Sequence, residues 1–129
     1  MEKPWMKLRL LNDSIRLRLS RSEVVAAAEQ GIVEAQTRFP DGSVFAFALE
    51  ALKTGSASAA YTRNRMVVKL PAQEIAAWAN DDEAVSLHGE LKLQEGGPLK
   101  ILVEKDFKCV TPRGDEDQSD LFVNPEGAC

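Results

Sequence analysis

Basic residues alternate with apolar ones near the start of the chain, in the stretch MKLRLLNDSIRLRLS at residues 6–20. Guanidinium groups bind phosphates and carboxylates through paired hydrogen bonds. If the stretch folds back at Asn12-Asp13-Ser14, its two rows of cations converge on one side of a sheet. The candidate anion-binding set therefore consists of Lys7, Arg9, Arg16 and Arg18. The alternative is a solvated sheet face whose charges discourage edge-to-edge pairing.

Cys109 and Cys129 leave three interpretations open. They bind a metal ion, with His88, Asp117 or Asp120 completing a mixed set of nitrogen, oxygen and sulfur ligands. They form a disulfide that closes the C-terminal segment onto the last strand. They are two unrelated thiols. The absence of a Cys-x-x-Cys pair makes the zinc signal weak. No catalytic residue and no cofactor is assigned, because the sequence has no P-loop, no Gly-x-Gly-x-x-Gly and no Gly-x-Ser-x-Gly.

The elements that must position these residues follow from hydrophobic periodicity. Period-two alternation and turn residues predict strands at 7–11, 15–19, 33–39, 44–52, 59–62, 66–70, 85–93 and 99–107. Ser20 and Glu23 have the spacing of a capping box, which predicts a helix that ends at Gly31. Pro71 favours a second helix over 73–79.

The second half of the chain repeats the order of the first. A shift of 51 positions places Ile15 on Met66 and Glu23 on Glu74, although two similar strand-to-helix corners also arise by chance. The sequence therefore predicts an α+β fold of about eight antiparallel strands and two short helices, built as two strand-strand-helix-strand-strand repeats. The sheet stays open or closes into a barrel. We expect one domain over 1–129, with halves at about 6–53 and 57–108 and an acidic tail or lid at 109–129.

Charge is distributed unevenly. The formal net charge is −4, but six cations and two carboxylates fall within residues 1–21, whereas five carboxylates and one cation fall within 112–129. The acidic tail is therefore a candidate partner for the basic hairpin of the same chain. We expect no nucleic-acid binding, because the protein is acidic overall and one basic hairpin does not make a dense positive face. The lack of a long apolar run and of a secretory signal predicts a cytoplasmic protein that does not cross a membrane.

Two families resemble parts of this pattern. A barrel of eight antiparallel strands lined with charge is similar to the triphosphate tunnel enzymes. Their entry strand carries Glu-x-Glu-x-Lys, and here Lys7 and Arg9 occupy the first strand instead.

The second resemblance covers nearly the whole chain. The opening LRLLNDSIRLRLSRSEV and the ending Glu-Lys-Asp-Phe-x-Cys, Glu-Asp-x-x-Asp, Asn-Pro and a closing cysteine resemble small uncharacterised bacterial proteins, a domain of unknown function. This resemblance implies a shared fold and no activity. The predicted function is a non-enzymatic binding or interaction module. The alternative is a metal- or phosphate-dependent hydrolase that resembles the tunnel enzymes in architecture.

Overall fold

The computed structural model describes residues 6–108, 120 and 122–123. Its elements are β1 (Lys7–Leu10), β2 (Ser14–Leu19), α1 (Arg21–Gln30), β3 (Ile32–Arg38), β4 (Val44–Leu52), β5 (Ser58–Thr62), β6 (Arg65–Pro71), α2 (Ala72–Asn80), β7 (Ser86–Leu91), β8 (Leu99–Lys105), β9 (Phe107–Lys108) and β10 (Phe122–Val123). The eight predicted strands and both predicted helices are confirmed, with ends that differ by at most two residues.

The helices begin and end at the residues that local chemistry favours. The Glu23 carboxylate accepts a hydrogen bond of 2.9 Å from the backbone N–H of Ser20, which satisfies a free donor at the start of α1. Gly31 ends α1 with a φ of 83°, a left-handed conformation that glycine adopts without strain. Pro71 precedes α2, where its missing N–H is not needed. Neither described helix is long and apolar enough to cross a membrane.

Eight of the ten described strands form two four-stranded sheets that are not closed into a barrel, and β9 pairs in parallel with β10. Sheet A has the order β1-β2-β8-β7, and sheet B has the order β3-β4-β6-β5. Each sheet takes one hairpin from each half of the chain, and both sheets are joined at their centre by a parallel pair, β2 with β8 and β6 with β4. The predicted α+β fold is confirmed, and its two sheets are repeat-like units that each contain strands from both halves of the chain. The sequence predicts only antiparallel strands, whereas the two central pairs are parallel. Turn residues indicate which neighbouring strands form a hairpin, but they do not indicate which hairpins pair with each other.

One core joins both halves. Buried side chains from both sheets and both helices form a single cluster, which includes Leu17, Leu49, Val68 and Val103. Trp78 of α2 lies within this cluster and donates a hydrogen bond of 3.0 Å from its indole N–H to the carbonyl of Val85. The helices contact each other and strands of both sheets. The packing therefore fixes the two sheets relative to each other and leaves one face of sheet A directed outward.

The described C-terminal residues lie at the start of α1. Asp120 accepts hydrogen bonds from the backbone N–H of Ser22 at 3.1 Å and from its hydroxyl at 2.5 Å. The ring of Phe122 packs edge-on against Phe107, with centroids 5.5 Å apart. A carboxylate at a helix N-terminus also interacts favourably with the helix dipole. These contacts attach Asp120 to α1 and Phe122 to β9.

Leu17 and Leu10 provide a matched test of this core. Leu17 is fully buried and Leu10 is 58% exposed, although both belong to the first hairpin. We expect Leu17→Ala to lower the free energy of unfolding by about 3 kcal/mol, because it leaves a cavity in the core. Leu10→Ala should change it by less than about 0.5 kcal/mol. Urea denaturation measures both, and equal losses would contradict the described packing.

Candidate anion-binding face

The first hairpin brings the four predicted cations together. In the antiparallel register of β1 and β2, Lys7 lies opposite Arg18, and Arg9 lies opposite Arg16. The alternation of burial along β2 directs its apolar residues into the core and its arginines outward. Asn12 turns the chain with a φ of 49°, which asparagine tolerates better than most residues. The structure therefore places all four cations on the outward face of sheet A.

Glu104 of β8 lies between two of these arginines. Its Oε1 accepts hydrogen bonds of 2.6 Å from Nε of Arg16 and from Nε of Arg18. The parallel register of β2 and β8 sets Arg18 level with Glu104. The carboxylate side chain is 11% exposed, so the contact is shielded from water and salt. One carboxylate is thus shared by two permanent cations, which leaves the group with a positive charge.

The other two cations differ in their surroundings. Lys7 forms an ion pair of 3.0 Å with Asp106, whose side chain is buried. Arg9 is exposed and forms no ion pair within residues 6–108. It lies directly opposite Arg16, and like charges at opposed positions of an antiparallel pair are destabilising. Arg9 and Arg16 therefore form the place on this face where an additional negative charge is most favourable.

Two more strands complete this surface. We use the name basic face for the outward residues of sheet A, which are Lys7, Arg9, Ser14, Arg16, Arg18, Ser86, His88, Glu90, Lys100, Leu102 and Glu104. Sequence reasoning missed Lys100 and Glu104 as members of the site. The alternation within β8 does place them on one face, but no local signal indicates that β8 lies beside β2.

Sheet B provides an internal comparison, because its strands occupy the same positions in the same register. The corresponding outward residues, with sheet A first, are Lys7 and Ser58, Arg9 and Ala60, Arg16 and Val67, Arg18 and Lys69, Lys100 and Ala46, and Glu104 and Glu50. Five cations of the basic face thus correspond to a single cation, Lys69, on sheet B, where a second cation, Arg65, takes the position of Ser14. The fold does not require the positive charge of the basic face.

Two shallow grooves lie beside the Arg9–Arg16 pair. One has a volume of about 220 Å³ and is lined by Lys7, Leu8, Arg9, Arg16 and Arg18. The other has a volume of about 350 Å³, shares Arg9 and Arg16, and extends over Lys100 and His88 beside the hairpin turn. The two arginines therefore reach both grooves, and an anion bound between them is accessible from solvent.

The remaining predicted ligands do not form a site in the described part of the chain. Cys109, Cys129 and Asp117 lie outside the described residues. His88 is exposed on the basic face, whereas Asp120 binds Ser22 at the start of α1. Within the described residues, no three His, Cys, Asp or Glu side chains are placed to hold a metal ion. The metal and disulfide hypotheses stay predictions.

The acidic tail over 109–129 also stays a predicted partner of the hairpin, because all of its acidic residues except Asp120 lie outside the described residues. The carboxylates seen on the hairpin cations belong to Glu104 and Asp106, which lie at the end of β8 and directly after it.

A family model described as Family of unknown function (DUF7009) matches residues 6–126. The chain belongs to this family. The match spans both sheets and the whole basic face, and it confirms the predicted relationship to a family of unknown function. DUF7009 membership carries no activity with it. No curated protein and no solved structure matches the chain.

Glu104 and Glu50 occupy corresponding positions of the two sheets and differ in their contacts. Glu50 is 28% exposed and lies 3.4 Å from Arg65. We expect Glu104→Gln to lower the free energy of unfolding by about 2 kcal/mol, because two guanidiniums then lose their shared countercharge. Glu50→Gln should cost less than about 1 kcal/mol, as exposed pairs do. Urea denaturation compares the two variants, and a loss as large for Glu50→Gln would refute the special role of Glu104.

Proposed function

We propose that this member of DUF7009 is a single-domain, non-enzymatic binding module that captures an anionic ligand on its basic face. The observation that carries the proposal is the Arg9–Arg16 pair, in which two arginines occupy directly opposed positions of β1 and β2 while Glu104 is shared between Arg16 and Arg18. An anion bound there relieves the repulsion between the arginines and gains charge-assisted hydrogen bonds.

The comparison with sheet B supports the view that the positive charge of the basic face is not a consequence of the fold. Val67 and Ala60 take the positions of Arg16 and Arg9 on sheet B, and the strands pair in the same way there. Neutral side chains at these positions are therefore compatible with the architecture. The basic face keeps five cations at a cost in mutual repulsion, and a ligand of opposite charge offsets that cost.

The chemistry of arginine favours binding over proton transfer. The guanidinium group stays protonated in proteins, so Arg9 and Arg16 hold an anion without exchanging a proton with it. Their planar donors match the oxygen atoms of phosphate and carboxylate groups. A single core that joins both halves supports the single-domain assignment.

Calorimetric titration with inorganic pyrophosphate in low-salt buffer tests the proposal. Wild type should bind the probe, and Arg9→Ala combined with Arg16→Ala should weaken binding about a hundredfold, because two charge-assisted hydrogen bonds of roughly 1.5 kcal/mol each are lost. Arg18 still neutralises Glu104 in this variant, so the hairpin keeps its ion pair.

The matched control removes the same charge from sheet B. Arg38 and Lys69 lie on its outward face and form no ion pair within the described residues. Arg38→Ala combined with Lys69→Ala should keep wild-type affinity, and Glu104→Gln should tighten binding because it releases Arg16 and Arg18. Equal weakening in the two double variants would show a general charge effect, and no binding by wild type would reject the proposal.

A further inference from the structure

Beside the hairpin turn, the larger groove of the basic face combines cations with apolar surface. It has a volume of about 350 Å³, which falls within the range of small-molecule sites. Arg9, Arg16 and Lys100 line its charged side, and Leu11 and Leu102 contribute apolar surface. Such a mixture of surface suits a ligand with two parts of different chemistry.

From this lining we infer that the ligand is a small organic anion, whose phosphate or carboxylate group binds Arg9, Arg16 and Lys100 while its apolar body covers Leu11 and Leu102. The inference rests on the proposed anion-binding function and deepens it. It excludes inorganic anions as the preferred ligands of this groove.

The charged side of the groove is held in place by the fold. The backbone N–H of Lys100 donates a hydrogen bond of 2.9 Å to the carbonyl of Asp13 in the hairpin turn. This bond fixes the start of β8 against the turn and sets Lys100 level with Ser14 of β2. Among the described residues, Glu90 is the one carboxylate that lines the groove, and it lies opposite Lys100. Because three cations line the groove, it keeps an excess of positive charge, which is greatest away from Glu90. The anionic group is therefore expected near Arg9 and Arg16.

The fold does not require apolar residues at the positions that form the apolar side of the groove. Leu11 is 55% exposed and follows directly after β1. The corresponding position on sheet B is Thr62, and Leu102 corresponds to Ala48. The same architecture thus accepts smaller or polar residues at both positions. An apolar ligand body removes Leu11 and Leu102 from water, which favours binding in proportion to the area covered.

His88 adds a polar group within this lining. It is exposed and lies across from Leu102 on the neighbouring strand β7. Its imidazole offers a hydrogen bond to a polar atom of the ligand, next to the apolar surface. A few polar groups set among apolar ones are typical of sites that fix the orientation of a small ligand.

Calorimetric titration of the full chain with five probes tests the inference. The probes are phenyl phosphate and benzoate, with inorganic phosphate and acetate as their counterparts without the ring, and phenol as the counterpart without the anionic group. We expect at least one aromatic probe to bind about tenfold more tightly than its counterpart, which corresponds to a modest apolar contact. The tighter of the two aromatic probes identifies the anionic group.

Two variants locate the apolar contact and the charge contact separately. Leu11→Thr combined with Leu102→Ala introduces the residues that sheet B carries, so the fold is expected to tolerate it. It should remove most of the preference for the aromatic probe and leave binding of the inorganic anion unchanged. Arg9→Ala combined with Arg16→Ala should weaken both.

The outcomes separate this inference from the proposed function. Equal affinity for phenyl phosphate and inorganic phosphate, and for benzoate and acetate, would overturn the inference while the proposed function stands. Binding of phenol as tight as that of phenyl phosphate would overturn both, because the anionic group would then contribute nothing. An unchanged aromatic preference in the leucine variant would also overturn the inference.

Discussion

The parallel pairing of β2 with β8 is the constraint on which the rest of the structure depends. It joins a hairpin from the first half of the chain to a hairpin from the second, and the β6–β4 pair does the same in sheet B. Neither half completes a sheet by itself, so both sheets and the shared core form together. The same pairing sets Glu104 level with Arg18. The pairing of β2 with β8 thus decides which carboxylate contacts Arg16 and Arg18. It also decides which cations of the hairpin are available to a ligand.

The local elements could be predicted because each depends on neighbouring residues. Alternation gave the strands, the capping pair Ser20 and Glu23 gave the start of α1, and Gly31 gave its end. The pairing of β2 with β8 could not be predicted, since paired residues such as Leu17 and Val103 lie far apart in sequence. Burial of apolar surface brings the two strands together, and it does not specify which apolar strands become neighbours. For the same reason the four hairpin cations were found and Lys100 was not.

The two sheets show how side-chain choice separates fold from function. Their inward residues fill one core, whereas their outward residues differ in charge at matching register positions. On sheet B, Arg65 contacts Glu34 and Glu50, so its cation meets two carboxylates. On sheet A, Glu104 meets two cations. The ratio of charges is inverted between two surfaces of matching register, and this inversion supports the proposal that the basic face binds an anion.

The most direct measurement is a nitrogen-15 NMR titration of the full chain with inorganic pyrophosphate, in which the arginine Nε signals are followed. The account predicts saturable shifts at Nε of Arg9 and Arg16, with smaller shifts along β8 near Lys100 and none at Nε of Arg38 or Arg65. Small, linear shifts of similar size at arginines of both sheets would contradict it, because they would show that the probe responds to net charge and not to the basic face.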